Sequence, residues 1–95
     1  MTPIWKIRSG QFAGWYSSDA IYDALGRHGG YMAGTVAYSL PGKYLGEIYR
    51  AEWIGRPAGA HRDSPGSRQA GENVAHARLD DRAPPGVEGW DDPEF

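Results

Sequence analysis

Glycine spacing constrains this chain more than any other feature. The pattern Gly-x-x-x-Gly occurs at Gly10/Gly14, Gly26/Gly30, Gly42/Gly46 and Gly55/Gly59; the first three pairs recur every 16 residues and the fourth follows after 13. A long polar or basic side chain follows each leading glycine: Gln11, Arg27, Lys43 and Arg56. Ile4-Trp5, Ile21-Tyr22, Ala37-Tyr38 and Glu52-Trp53 supply β-prone dipeptides upstream of the glycines. A unit of about 16 residues accommodates one hairpin of two short strands with its turns. Residues 1–61 therefore read as an all-β domain of tandem short antiparallel hairpins forming a small barrel or flower-like assembly. The eight paired glycines are its expected structural turn residues.

Turn chemistry sharpens this reading. Asp23-Ala24-Leu25-Gly26 fits a type I turn, with a carboxylate that accepts nearby N–H groups and a closing left-handed glycine that starts a bulge. Pro41-Gly42 instead prefers the centre of a type II turn, so repeats two and three are expected either to differ or to sit one residue apart in register. In repeat four, Trp53 and Gly55 are two apart, which implies a shortened turn. Period-two alternation puts Phe12, Gly14 and Tyr16 on one face, with His28, Gly30, Met32, Tyr44, Gly46 and Ile48. That face is the expected core, each glycine leaving a slot for a neighbouring aromatic.

Beyond residue 61 the composition changes. Ten of the 12 aromatics precede residue 55, whereas five of the seven prolines follow residue 54. Residues 1–54 carry five Lys/Arg against four Asp/Glu, and residues 55–95 carry five against eight. Residues 62–95 thus read as a polar, Pro/Gly-rich, largely irregular tail, with a possible short helix over 72–79. Trp90 and Phe95 lie among acidic residues, and in a free tail they would gain nothing. They are candidates for docking in a groove of this chain, a sister subunit or a partner, with Asp91, Asp92 and Glu94 reaching Arg27 or Lys43; the alternative is a frayed terminus.

Composition also narrows the function classes. Without cysteine there is neither a disulfide framework nor thiolate chemistry, which suits a cytoplasmic protein. The first residues contain no apolar signal segment, and no apolar run is long enough to span a membrane. A near-neutral charge argues against nucleic acid. The glycine pairs lack the Gly-Lys-Ser/Thr of a phosphate loop. His61 and Asp63 supply two metal ligands where zinc needs three or four. His28 reads as a strand-face residue and His76 as solvated. The pairs Asp80-Asp81 and Asp91-Asp92 read as solvated acids, and Ser17-Ser18 has no recognisable base partner. No catalytic residue, cofactor or metal is expected.

The aromatics carry the strongest remaining signal. Trp5, Trp15, Tyr31, Tyr49 and Trp53 are candidate interface or ligand-stacking residues. A chain this short must bury nearly all its aromatics to balance the entropy of ordering, and one thin layer of hairpins leaves a face bare. That argument predicts a homo-oligomer, a dimer or tetramer, with Trp5, Trp15 or Trp53 near the contact. The expected function is a non-enzymatic, self-associating β-repeat module engaged in protein–protein interaction or structure, with a protein partner possible through the tail. The alternative is a small-molecule or carbohydrate-binding module that stacks its ligand on Trp15 and Tyr31.

Two family patterns are visible. Tyr22-Asp23-Ala24-Leu25-Gly26-Arg27 resembles the Tyr-Asp-x-x-Gly-Arg core of the YD repeats of Rhs-type shells, over six residues. The recurrence Ile21-Tyr22…Gly26-Arg27…Gly30-Tyr31, followed by Val36-Ala37-Tyr38-Ser39-Leu40-Pro41-Gly42-Lys43-Tyr44-Leu45-Gly46-Glu47-Ile48-Tyr49, is similar to small bacterial proteins called the 4-fold beta flower domain. That resemblance spans roughly residues 3–59. It implies an all-β fold with a Pro-rich tail, in some members ending in Trp and Phe like Trp90 and Phe95, and it implies no particular activity. The shortened fourth repeat departs from the pattern and leaves open whether one chain closes the ring.

Overall fold

The computed structural model describes all 95 residues and contains no helix. Its strands are β1 (Thr2–Lys6), β2 (Phe12–Tyr16), β3 (Ala20–Tyr22), β4 (His28–Ala33), β5 (Val36–Ser39), β6 (Tyr44–Tyr49), β7 (Trp53–Pro57) and β8 (Trp90–Asp91). Neighbouring strands pair antiparallel in chain order, and β1 also pairs parallel with β7 through Trp5↔Trp53 and Lys6↔Ile54. One chain therefore closes a seven-stranded barrel, with β8 as an added strand.

Three hairpins share one design. Gly26 N–H donates to Asp23 O at 2.9 Å and Asp23 N–H to Arg27 O at 3.0 Å. In the next hairpin Gly42 N–H donates to Ser39 O at 2.9 Å and Ser39 N–H to Lys43 O at 2.8 Å. Pro41 is thus third in its turn and Gly42 closes it, as Gly26 does, so the type II expectation is corrected: repeats two and three have the same turn register. The first turn is one residue longer, with Lys6 N–H on Gln11 O at 2.8 Å. Gly10, Gly26 and Gly42 have φ of 76°, 80° and 99°, the region a Cβ disfavours.

A bulge follows each turn, at Ala13, Gly29 and Leu45. Past it, Gly14, Gly30 and Gly46 face Ile4, Ile21 and Ala37. Before it, Phe12, His28 and Tyr44 face Trp5, Tyr22 and Tyr38. The extra residue reverses the alternation. Hence Gly14, Gly30, Gly46, Tyr16, Met32 and Ile48 are on the core side as expected, but Phe12, His28 and Tyr44 are outside. Gly14, Gly30, Gly46 and Gly55 are also strand residues, not turn residues; of the eight paired glycines, Gly10, Gly26, Gly42 and Gly59 serve turns.

The fourth hairpin differs most. Gly55 lies within β7, and the chain turns later, with Ala60 N–H on Pro57 O at 3.0 Å. The strand that returns along β7 is β8, paired through Arg56↔Asp91 and Pro57↔Trp90. The tail supplies the missing half of repeat four.

Two apolar clusters result. Ile4, Ala13, Ile21, Met32, Ala37, Leu45 and Ile54 fill the barrel, with Phe95 packed against them. Trp5, Ile7, Phe12, Trp15 and Trp53 form a second cluster on the outer side, with Tyr49 and Trp90 against it. Residues 62–95 cover this outer side as an extended strap. The expected helix over 72–79 is absent because the backbone bonds the barrel instead: Val74 N–H donates to Gly26 O at 2.8 Å.

Candidate functional site

The strap meets successive hairpins in reverse order, and its contacts repeat. At hairpin one, Arg82 N–H donates to Gly10 O at 2.8 Å, and Asp81 Oδ1 accepts from Phe12 N–H at 2.8 Å. At hairpin two, Val74 N–H and Asn73 Oδ1 take the same two roles toward Gly26 O and His28 N–H, at 2.8 and 2.9 Å. A Cβ on Gly10, Gly26 or Gly42 would run into the carbonyl of Arg82, Val74 or Gly66. Each turn glycine is therefore needed twice, for its backbone angle and for the close passage of the strap.

The outer aromatics are the other half of the site. Tyr31 and Trp15 are 16 apart in the ring; Arg68 and His76, which cover them, are eight apart in the strap. The Arg68 guanidinium lies 4.2 Å from the Tyr31 ring centre, and the His76 ring lies 5.2 Å from that of Trp15. Arg82 lies 4.5 Å from the Trp5 ring centre and 5.2 Å from that of Trp53. Indole and phenol tips are satisfied by strap carbonyls: Trp5 Nε1 donates to Asp80 O at 2.8 Å, and Tyr31 Oη donates to Gly66 O. Cation–π contacts and satisfied polar tips let these rings be covered without stranding a donor. As a result Trp5, Trp15, Tyr31 and Trp53 are all buried within one chain. The premise of a bare face behind the oligomer expectation does not hold, and Trp15 and Tyr31 present no open face to a sugar.

The last six residues cross the end of the barrel where the turns lie. Asp92 Oδ1 accepts from Arg8 N–H at 2.8 Å and Ser9 N–H at 3.2 Å. Glu94 N–H donates to Leu45 O at 2.9 Å, and its carboxylate meets Arg56 at 2.8 Å and Lys43 at 3.6 Å. Trp90 packs edge-on to Tyr49 with ring centres 5.2 Å apart. Trp90 and Phe95 thus dock on their own chain. Lys43 meets the acidic segment as expected; Arg27 does not, because Asp23 holds its Nε at 2.8 Å.

Local electrostatics follow from these bonds. Partial burial pushes the Asp23 carboxyl up, but donors on Arg27 and Leu25 outweigh it and hold the group below its ordinary value. Burial, and then the bond to Glu47, raise the Tyr44 hydroxyl; Glu47 also accepts from Arg62 at 3.0 Å. His28 Nδ1 accepts from Gly71 N–H, while its Nε2 is buried without a partner.

Sequence alone marks none of Asn73, Arg68 and Arg82, and it reads His76 and Asp81 as solvated, whereas the structure sets His76 against Trp15 and Asp81 on the Phe12 N–H. The available signal was the eight-residue spacing of Asn73-Val74 and Asp81-Arg82, and of Arg68 and His76. No family model matches the chain, and neither a curated protein nor a solved structure matches it. No helix is long and apolar enough to cross a membrane.

Proposed function

We propose that the chain is a non-enzymatic β-repeat module that binds extended polypeptide and self-associates by exchanging residues 62–95 between copies. One observation carries this reading: at hairpins one and two the ring presents the same polypeptide-binding site, made of a turn-glycine carbonyl, a hairpin N–H and an outer aromatic, and its own strap occupies both in register, while at hairpin three the strap bonds Leu40 O through Arg68 N–H. A strap from a second copy would make the same bonds to the same groups. Such exchange needs only a connection that opens, and Ala58, Gly59 and His61 are exposed between β7 and the strap. The resemblance to the 4-fold beta flower domain supports the all-β repeat reading and assigns no competing activity.

Light scattering over a micromolar concentration series tests the proposal. The intact chain is expected to shift from monomer toward dimer as concentration rises. Deleting Gly59–His61 shortens the connection and is expected to favour the dimer, since short strained hinges promote swapping. A strict monomer in both proteins would overturn the reading.

A further inference from the structure

Lys6 is the one Lys/Arg side chain that forms neither an ion pair nor a contact with an aromatic face. Of the ten Lys/Arg residues, Arg8, Arg27, Lys43, Arg56, Arg62, Arg78 and Arg82 form ion pairs. Arg50 and Arg68 lie over tyrosine rings. Lys6 does neither, although it is half-buried and registers with the core residue Ile54. Leu25 is the complementary oddity. It is 69% exposed, more than any other large apolar side chain the fold leaves at the surface. Solvated lysines and stray leucines are ordinary when alone. Here the two line the same cleft.

That cleft lies between the turns of hairpins one and two, on one side of Phe95. Its volume is about 290 Å³, and Phe12, Ala24, Leu25 and Phe95 form its apolar walls. Lys6, Gln11, Arg27 and Arg78 supply donors at its edge, and Asp23 is the one acidic side chain among the lining residues. Arg27 is held by Asp23 at 2.8 Å and Arg78 by Asp81 at 3.0 Å, so one positive charge is uncommitted. The cleft on the other side of Phe95, of about 310 Å³, differs in sign: Lys43 is its cation, against Asp23 and Glu94. Only the first combines a free cation with an apolar wall left in water.

We infer that the cleft between hairpins one and two binds a small aromatic monocarboxylate. The carboxylate takes the Lys6 ammonium, with Gln11 as a second donor, and the ring covers Leu25 and lies against Phe12 and Phe95. The single uncommitted charge selects a monoanion. The volume, near the lower end of about 300–1,000 Å³ for small-ligand pockets, selects a body of one ring. This site is independent of strap exchange.

The test titrates 3-phenylpropionate, and separately its neutral analogue 3-phenylpropanamide, into the full chain while amide NMR shifts are followed. Saturable shifts are expected at Lys6, Gln11, Ala24 and Leu25, with the acid binding about tenfold more tightly than the amide, roughly the effect of one partly shielded ion pair. Lys6→Gln is expected to abolish that preference, and Lys43→Gln, in the other cleft, to preserve it. The Lys6 ammonium makes no hydrogen bond or ion pair in the fold, so its replacement is expected to leave the thermal transition unmoved. Absence of saturable shifts up to about 10 mM acid, equal affinity for acid and amide, or a preference that survives Lys6→Gln would each overturn the assignment.

Discussion

The ring and the strap repeat with different periods and for different physical reasons. Ring glycines Gly10, Gly26 and Gly42 are 16 apart, while the strap residues facing them, Arg82, Val74 and Gly66, are eight apart. A ring unit must hold two strands, two turns and a core-facing side, so it writes its period in glycine and apolar residues. A strap unit only bridges one turn to the next. It binds with main-chain groups, an Asx oxygen and a cation, and these leave a faint mark on composition. Trp90 continues the strap spacing eight residues after Arg82, where β8 completes the fourth hairpin. The comparison teaches that the strap is as much a part of the repeat architecture as the strands.

The largest effect is expected from separating the two. Removing residues 62–95 uncovers Trp5, Trp15, Tyr31 and Trp53 and takes away β8 and Phe95. The loss should exceed about 5 kcal/mol, the lower end of total stability for a domain of this size. Near-ultraviolet circular dichroism on heating is expected to lose its cooperative transition. A sharp transition in the truncated chain would make the ring a self-sufficient domain and the strap an accessory.

The next test isolates the close passage of the strap. Gly26 and Gly34 both have positive φ, 80° and 65°, but a Cβ at Gly34 meets nothing within 4 Å while one at Gly26 meets the Val74 carbonyl. Gly34→Ala is expected to cost about 1 kcal/mol through backbone conformation alone. Gly26→Ala is expected to cost about 3 kcal/mol, since it also displaces the strap. Chemical denaturation reads both, and equal losses would mean that the strap is held loosely enough to step aside.

These two glycines also show what was legible from sequence. Gly26 could be placed in its turn because Asp23 precedes it at the right distance and the spacing recurs. Its second role was hidden, since Val74 is 48 positions away and nothing local marks their meeting. The core faces were half legible. Gly14, Gly30 and Gly46 point inward as alternation requires, but bulges at Ala13, Gly29 and Leu45 turn Phe12, His28 and Tyr44 outward. Repeat four looked degenerate because its returning strand, Trp90–Asp91, arrives only after the whole strap has passed. Trp90 and Phe95 stood out because aromatics in an acidic tail need a reason. Asn73 and Asp81 did not, because an Asx residue in a polar stretch, alone or beside another acid as in Asp80-Asp81, resembles a solvated one.

Smaller effects are expected from those caps. Asp81→Ala and Asn73→Ala each remove one acceptor from a hairpin N–H and should each cost about 1 kcal/mol. Amide exchange should accelerate selectively, at Phe12 for the first and at His28 for the second. Uniform acceleration along the chain would show that the caps act on global stability and not on their own hairpins.

The smallest effect concerns the third docking position. By the strap spacing, Pro65 stands where Asn73 and Asp81 stand, eight and 16 residues earlier. Its ring offers no acceptor, so the Tyr44 N–H lacks the cap that His28 and Phe12 receive; the strap still passes close to Gly42 through Ser64 and the Gly66 carbonyl, although Gly66 N–H bonds Ser64 Oγ where Val74 N–H bonds Gly26 O. Pro65→Asn supplies the oxygen. The gain of about 1 kcal/mol from the bond is opposed by about 0.4–1 kcal/mol from the freer unfolded chain once proline is lost. Global stability should therefore hardly move, and melting temperature is the wrong readout. The informative one is hydrogen exchange at Tyr44, expected to slow about fivefold, the equivalent of about 1 kcal/mol at one site, while exchange at Phe12 and His28 stays unchanged. An unaltered Tyr44 amide would mean that Gly66, whose φ is 113°, bends the strap out of the shared register, leaving two equivalent docking positions in the ring instead of three.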